Sequence, residues 1–107
     1  MYEKSKYKNR KTTIGDIVFD SKKEAERYII LKEFEKRGAI SDLRIQVKFE
    51  LIPKCGKNRA CSYYADFVYR DKDGNEIVED VKGKRTDVYT LKKKLLMWRY
   101  GIEIKEV

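Results

Sequence analysis

Three strand-like runs joined by short connectors constrain this chain more than any other feature it has. Residues 44–51 set Ile45, Val47, Phe49 and Leu51 against polar neighbours, and residues 62–70 and 76–82 read as two further strands. A basic loop at 53–60, PKCGKNRA, links the first two runs, and Asp71-Lys72-Asp73-Gly74-Asn75 links the second and third. Connectors this short join antiparallel neighbours, so the middle of the chain is a three-strand meander. Ser21 and Glu24 have capping-box spacing ahead of it, and good helix formers run to Arg37 before Gly38 stops them. Beyond it, a second helix begins near Thr86 or Asp87 and ends at Gly101. Val88, Leu91, Leu95 and Trp98 are its expected buried stripe, with Tyr89, Lys93, Met97 and Tyr100 on the opposite side. Residues 14–19 form a short strand or a hairpin broken at Gly15-Asp16, and residues 101–105 close the chain as an alternating strand. The order αβββαβ predicts a single α/β domain over residues 14–107, preceded by a polar, basic, flexible arm at 1–13.

Charge is segregated. The 107 residues carry a formal +8. Residues 1–11 hold five basic residues against one acid, and residues 82–99 hold seven against one, which leaves the rest of the chain slightly acidic. A polyanion partner accounts for such clustering, because each neutralised phosphate releases a counterion. A lysine-rich surface that only promotes solubility accounts for it equally well. Histidine is absent, which removes the usual general base and every Ser/His or Cys/His arrangement. Cys55 and Cys61 alone fall short of a four-ligand zinc site. No apolar run is long enough to cross a membrane, and the basic start lacks the apolar stretch of a signal peptide. A cytoplasmic address is the default expectation. Any enzyme here works with carboxylates, lysine and a metal.

An acid-x-lysine triplet occurs three times: Asp20-Ser21-Lys22, Asp80-Val81-Lys82 and Glu103-Ile104-Lys105. The first has a helix-entry explanation and the third a solvated-strand one. Only Asp80-Val81-Lys82 ends a strand paired through a short turn to another strand with an acid in its middle, Asp66. If Lys72-Asp73-Gly74 is a three-residue hairpin loop with Gly74 left-handed, Asp66 lands directly across from Asp80, and Lys82 shares their side. A two-residue Asp73-Gly74 loop instead sets Asp66 on the face of Glu79 and Val81. Like charges directly opposed are destabilising unless a cation compensates them. Tyr64 and Val68, two residues either side of Asp66, are expected on its face; a solvated strand position is the alternative. Helix phase puts Glu24 inward with Tyr28 and Leu31 and turns Glu26 outward. Glu24 therefore either reaches a metal on the sheet or simply completes the cap with Ser21.

With ADF at 65–67, EDVKG at 79–83 and the order αβββαβ, the chain resembles the PD-(D/E)XK nuclease superfamily. FDSKKEAERY, YYADFVY and VEDVKG are similar to a small phage-borne family within it, akin to Holliday-junction resolvases. Ala65 replaces the proline of the written motif. The resemblance implies a restriction-endonuclease-like core, a central mixed sheet flanked by helices. It also implies catalytic roles for Asp66, Asp80, Lys82 and Glu24, and Mg²⁺, replaceable by Mn²⁺, held by Asp66, Asp80, Glu24 and the Val81 carbonyl. Lys82 would orient water or stabilise developing charge, and Gln46 would stand near the site. Lys84, Arg85, Lys93 and Lys94 would contact DNA phosphates. The expected activity is Mg²⁺-dependent cleavage of DNA, at branched or recombining substrates, by a homodimer of a phage-encoded protein in a bacterial host, with no membrane and no small-molecule cofactor. The competing readings are a nuclease-like fold that binds nucleic acid without cutting, and an RNA-binding or ribosome-associated domain that leaves the opposed acids unexplained.

Overall fold

The computed structural model describes residues 11–81 and 85–107. It is a single small mixed α/β domain. A hairpin of β1 (Thr12–Ile14) and β2 (Ile17–Phe19) turns at Gly15, whose φ of 60° is left-handed. Strand β1 thus takes in the last residues assigned to the arm; residues 1–10 lie outside the described part. Helix α1 (Lys22–Lys36) starts where Ser21 Oγ accepts the Glu24 N–H at 3.0 Å, as the capping spacing predicts. Strands β3 (Ser41–Ile52), β4 (Cys61–Arg70) and β5 (Glu76–Asp80) form the meander. Helix α2 (Asp87–Tyr100) is capped by Thr86 and ends on Gly101 at φ 69°. It returns the chain to β6 (Lys105–Glu106), which pairs parallel with β5. The sheet order is β3-β4-β5-β6, so the sheet is mixed.

The β4–β5 turn settles the register. Gly74 sits at φ 83°, its N–H donates to the Asp71 carbonyl, and the Asp71 N–H donates to Asn75. This is the three-residue loop, and Phe67 pairs with Glu79, Val68 with Val78 and Tyr69 with Ile77. Glu79 and Asp80 consequently point to opposite faces.

The two helices cover opposite faces of the sheet. Ala25 and Leu31 of α1 pack with Phe67 and Tyr69, while Tyr89 and Leu96 of α2 pack with Tyr63, Ala65, Val68 and Val78. Alternation is not strict through β3 and β4. Ile45 and Phe67 belong to the α1 core, yet Val47 and Ala65, two residues away on the same strands, belong to the α2 core. Gln46, at φ 49°, lies at the switch, opposite Asp66 in the register. Val68 therefore faces α2 with Ala65, contrary to the expectation that it shares a face with Asp66 and Tyr64. The sheet changes faces at the level of the two residues that matter most for chemistry.

Helix α2 corrects a second expectation. Tyr89 and Leu96 are buried, whereas Val88 (63%), Leu91 (58%) and Trp98 (80%) are exposed. The helix is rotated from the phase that its aliphatic stripe suggests. Three long-range bonds hold it there: the Tyr89 hydroxyl donates to Glu106 Oε2 at 2.6 Å, Arg99 Nη1 to the Leu51 carbonyl at 3.0 Å, and the Tyr100 hydroxyl to the Glu50 carbonyl at 2.6 Å. Of the expected strand at 101–105 only Lys105 is in β6, which runs on to Glu106, and Gly101 caps the helix instead.

Candidate active site

Four elements meet at the point where the sheet switches faces. Asp66 lies on β4, Asp80 ends β5, Glu24 is in the first turn of α1 and Gln46 is on β3. Asp66 Oδ2 accepts the Val81 N–H at 2.8 Å, just past the last backbone pair of the β4–β5 ladder. The carboxylate thus takes over an N–H that the ladder leaves behind. Gln46 Nε2 bridges the acids, donating to Glu24 Oε2 at 3.0 Å and Asp66 Oδ1 at 3.3 Å. The Tyr63 hydroxyl donates to Asp80 Oδ2 at 2.6 Å. Both Glu24 and Asp80 are buried, and Asp66 is half-buried.

These acids repel one another. Burial first, then the charges of Glu24 and Asp80, push the Asp66 carboxyl up to about 7, against the pull of the Val81 N–H. Asp80, opposed to Asp66 by the strand register, is thus one of the groups that raise it. Glu24 is raised as well, by burial and by Asp20, with Gln46 opposing the shift. The Tyr63 hydroxyl is raised by its burial and by its bond to Asp80, so it stays a donor.

The neighbouring acid is accounted for differently. Glu79, fully buried on the α1 face, takes a two-pronged ion pair from Arg27, Nε at 2.8 Å and Nη2 at 2.7 Å, and a hydroxyl bond from Tyr69. Glu79 is thus neutralised as part of the fold, whereas Asp80 is turned to the acid cluster. The two-residue-turn alternative, in which Asp66 shares a face with Glu79, does not occur.

The cluster opens into a groove of about 390 Å³. Tyr64 lines one side, Thr86, Val88 and Lys92 the other. Lys92 and Tyr63 were not singled out by the sequence reading. Taking Tyr89 rather than Val88 as the inward residue of α2 would have found Lys92 one turn later. Among the expected phosphate contacts, Arg85 and Lys93 both pair with Glu106, Lys93 at 3.3 Å. Lys94 borders a separate groove with Met97 and Trp98. Lys82 and Lys84 lie outside the described residues.

The side-chain ligand atoms offered here are hard carboxylate oxygens, and the two raised acids form no ion pair among the described residues. Among the described residues no three His, Cys, Asp or Glu side chains are gathered into a ready metal cage. Mg²⁺ does not require one, since it is commonly held by one or two carboxylates and keeps several waters. The donor set therefore fits that ion. A family model described as "Protein of unknown function (DUF1064)" matches residues 4–106. The chain belongs to this DUF1064 family. No curated protein and no solved structure matches it. The acid cluster of this DUF1064 chain thus stands on its own geometry.

Proposed function

We propose that this chain is a Mg²⁺-dependent endodeoxyribonuclease with a PD-(D/E)XK, restriction-endonuclease-like core. The observation that carries the reading is the convergence of three acids: Asp66 and Asp80, opposed by the β4–β5 register, and Glu24, which Gln46 bridges to Asp66. The mixed sheet with one helix on each face supports it. Asp66, Asp80 and Glu24, with the Val81 carbonyl, would hold the ion. When bound, Mg²⁺ supplies charge stabilisation at the phosphoryl group and a more acidic water. The protein groups have separable duties. Gln46 holds Glu24 and Asp66 against their mutual repulsion, and Tyr63 fixes the Asp80 carboxylate. Lys82 orients the attacking water, and Lys92, on the groove wall, attracts the phosphate charge.

Incubation with supercoiled plasmid and a synthetic four-way junction tests the reading. Cutting is expected with Mg²⁺ or Mn²⁺ and not with EDTA. Asp80→Ala and Lys82→Ala should each lower the rate at least 100-fold, an effect of about 3 kcal/mol on the barrier. Cutting that survives both substitutions would overturn the site. Binding without cutting on every substrate would leave a nucleic-acid-binding protein on a nuclease-like fold.

We infer further that the active species is a homodimer, since cutting both strands of a symmetric junction requires two sites. The exposed α2 stripe provides a self-complementary surface. Leu91 and Trp98, both exposed and neither lining the carboxylate groove, are the residues such a pairing buries. Light scattering after gel filtration should give twice the chain mass for the wild type and the single mass for Leu91→Lys. A monomeric wild type at all salt concentrations would overturn the pairing.

A further inference from the structure

We propose that the open face of the β3–β4 ribbon, with its basic connecting loop, is the surface on which the DNA flanking the scissile phosphate lies. The place of the cut phosphate rests on the nuclease reading above; the ribbon as a binding surface does not.

Beyond the face switch at Gln46 and Asp66, the ribbon is covered on one side only. Val47, Phe49, Leu51, Tyr63 and Ala65 pack under α2. The other side carries Gln46, Lys48, Glu50 and Tyr64, all exposed, with Lys48 and Tyr64 paired across the strands and Glu50 the one acid among them. Tyr64 is 54% exposed and also lines the carboxylate groove, so this face runs without interruption out of the candidate site. It ends in the loop bearing Lys54, Lys57 and Arg59. Between Leu51 and Ala65 the sequence holds no acid at all.

Among the described residues, ion pairing occupies three cations at or on α2 and leaves Lys92 and Lys94 there without one, whereas none of the ribbon's cations is paired. Arg85 and Lys93 pair with Glu106, and Arg99 lies 3.9 Å from Glu50. Lys48, Lys54, Lys57 and Arg59 form no ion pair among the described residues. Cations without a protein partner are the ones whose counterions a phosphate can release. Dimensions agree with duplex DNA. The six residue steps of β3 from Gln46 to Ile52 span about 20 Å, close to half a turn of B-DNA at roughly 34 Å per turn. A two-stranded ribbon is also of a width that the B-form major groove admits. A duplex whose phosphate sits at the carboxylates would therefore meet the loop about half a turn away.

The test is binding of the full chain to a labelled 30-base-pair DNA duplex, followed by anisotropy in EDTA over a range of salt concentrations. The triple variant Lys54→Gln/Lys57→Gln/Arg59→Gln should bind at least tenfold more weakly and lose about three from the log–log salt slope. Lys93→Gln/Lys94→Gln should change both less. All five positions are on the surface, and circular dichroism verifies that the variants are folded. A triple variant that binds like the wild type, or a larger loss in the α2 variant, overturns the proposal. Tighter binding to an RNA duplex of the same length also overturns it, because the A-form major groove is too narrow for a ribbon. Binding by the wild type without cleavage under any metal leaves the ribbon surface standing and removes the nuclease. Cleavage that the triple variant performs with unaltered affinity does the reverse.

Discussion

Asp66→Asn is expected to abolish Mg²⁺-dependent cleavage and, in the same molecule, to raise the melting temperature of the metal-free protein at pH 8. The two effects have one origin. The Asp66 carboxyl titrates at about 7 in the folded chain against 3.8 for an ordinary aspartate, chiefly through burial and then through Glu24 and Asp80. The folded state therefore binds this proton more tightly than the unfolded state. The stability that this provides is complete below pH 4 and is lost as the pH rises through 7. Asparagine carries no such charge and can still accept the Val81 N–H through its amide oxygen. After allowance for solvent screening of a half-buried group, the gain at pH 8 is about 1–2 kcal/mol, or roughly 5–10 °C in melting temperature. Mg²⁺ should stabilise the wild type more strongly as the pH rises from 5 to 8, and leave Asp66→Asn nearly unaffected. Thermal melts at pH 5 and 8, with and without Mg²⁺, check this. An Asn variant that is less stable than the wild type at pH 8 would show that Asp66 is a structural acid, and the metal assignment would fall.

Arg27→Ala should have the largest effect on stability. Removing the guanidinium leaves Glu79 charged and fully buried, with only the Tyr69 hydroxyl and the distant Lys105, at 4.0 Å, to answer it. Breaking a buried pair from one side costs about 3–5 kcal/mol. For a domain of this size, that is a large part of the whole. The same loss should loosen α1 from β5, and with it the approach of Glu24 to Asp66. Replacing both partners by apolar residues, Arg27→Met with Glu79→Leu, should restore most of the stability, since no charge is then stranded. Denaturant melts of the single and double variants measure the difference. A single variant within about 1 kcal/mol of wild type would mean that water or another cation reaches Glu79.

Much of the carboxylate geometry is legible in local sequence. The turn Asp71-Lys72-Asp73-Gly74-Asn75 can be read as a three-residue loop because only glycine accepts the left-handed position without penalty, and that loop sets which acid of β5 opposes Asp66. Ser21 and Gly38 bound α1, and helix phase then places Glu24 inward. Such signals are local, carried by residues within a few positions of one another. What they leave open is the choice between the two turn types, and the structure makes that choice.

Other features were out of reach for the opposite reason. Helix α2 has two eligible faces, an aliphatic one through Val88, Leu91 and Trp98 and another through Tyr89 and Leu96, and amphipathicity favours the first. Its bonds to Glu106, Leu51 and Glu50, each from 13 to 50 residues away, rotate it to the second and bring Lys92 to the groove. Likewise, nothing in a run of alternating residues says that Gln46 will take a positive φ, or that the sheet will change faces beside it. By itself, the sequence bounded the two helices and the meander and named Asp66, Asp80 and Glu24 as candidates for one cluster, because caps, turns and short-range pairing act over a few residues. Only the tertiary structure decided which side of α2 is buried, where the sheet switches faces, and that Arg27 rather than a metal answers Glu79. Those outcomes depend on packing two helices against opposite faces of one sheet, and no local signal encodes that fit.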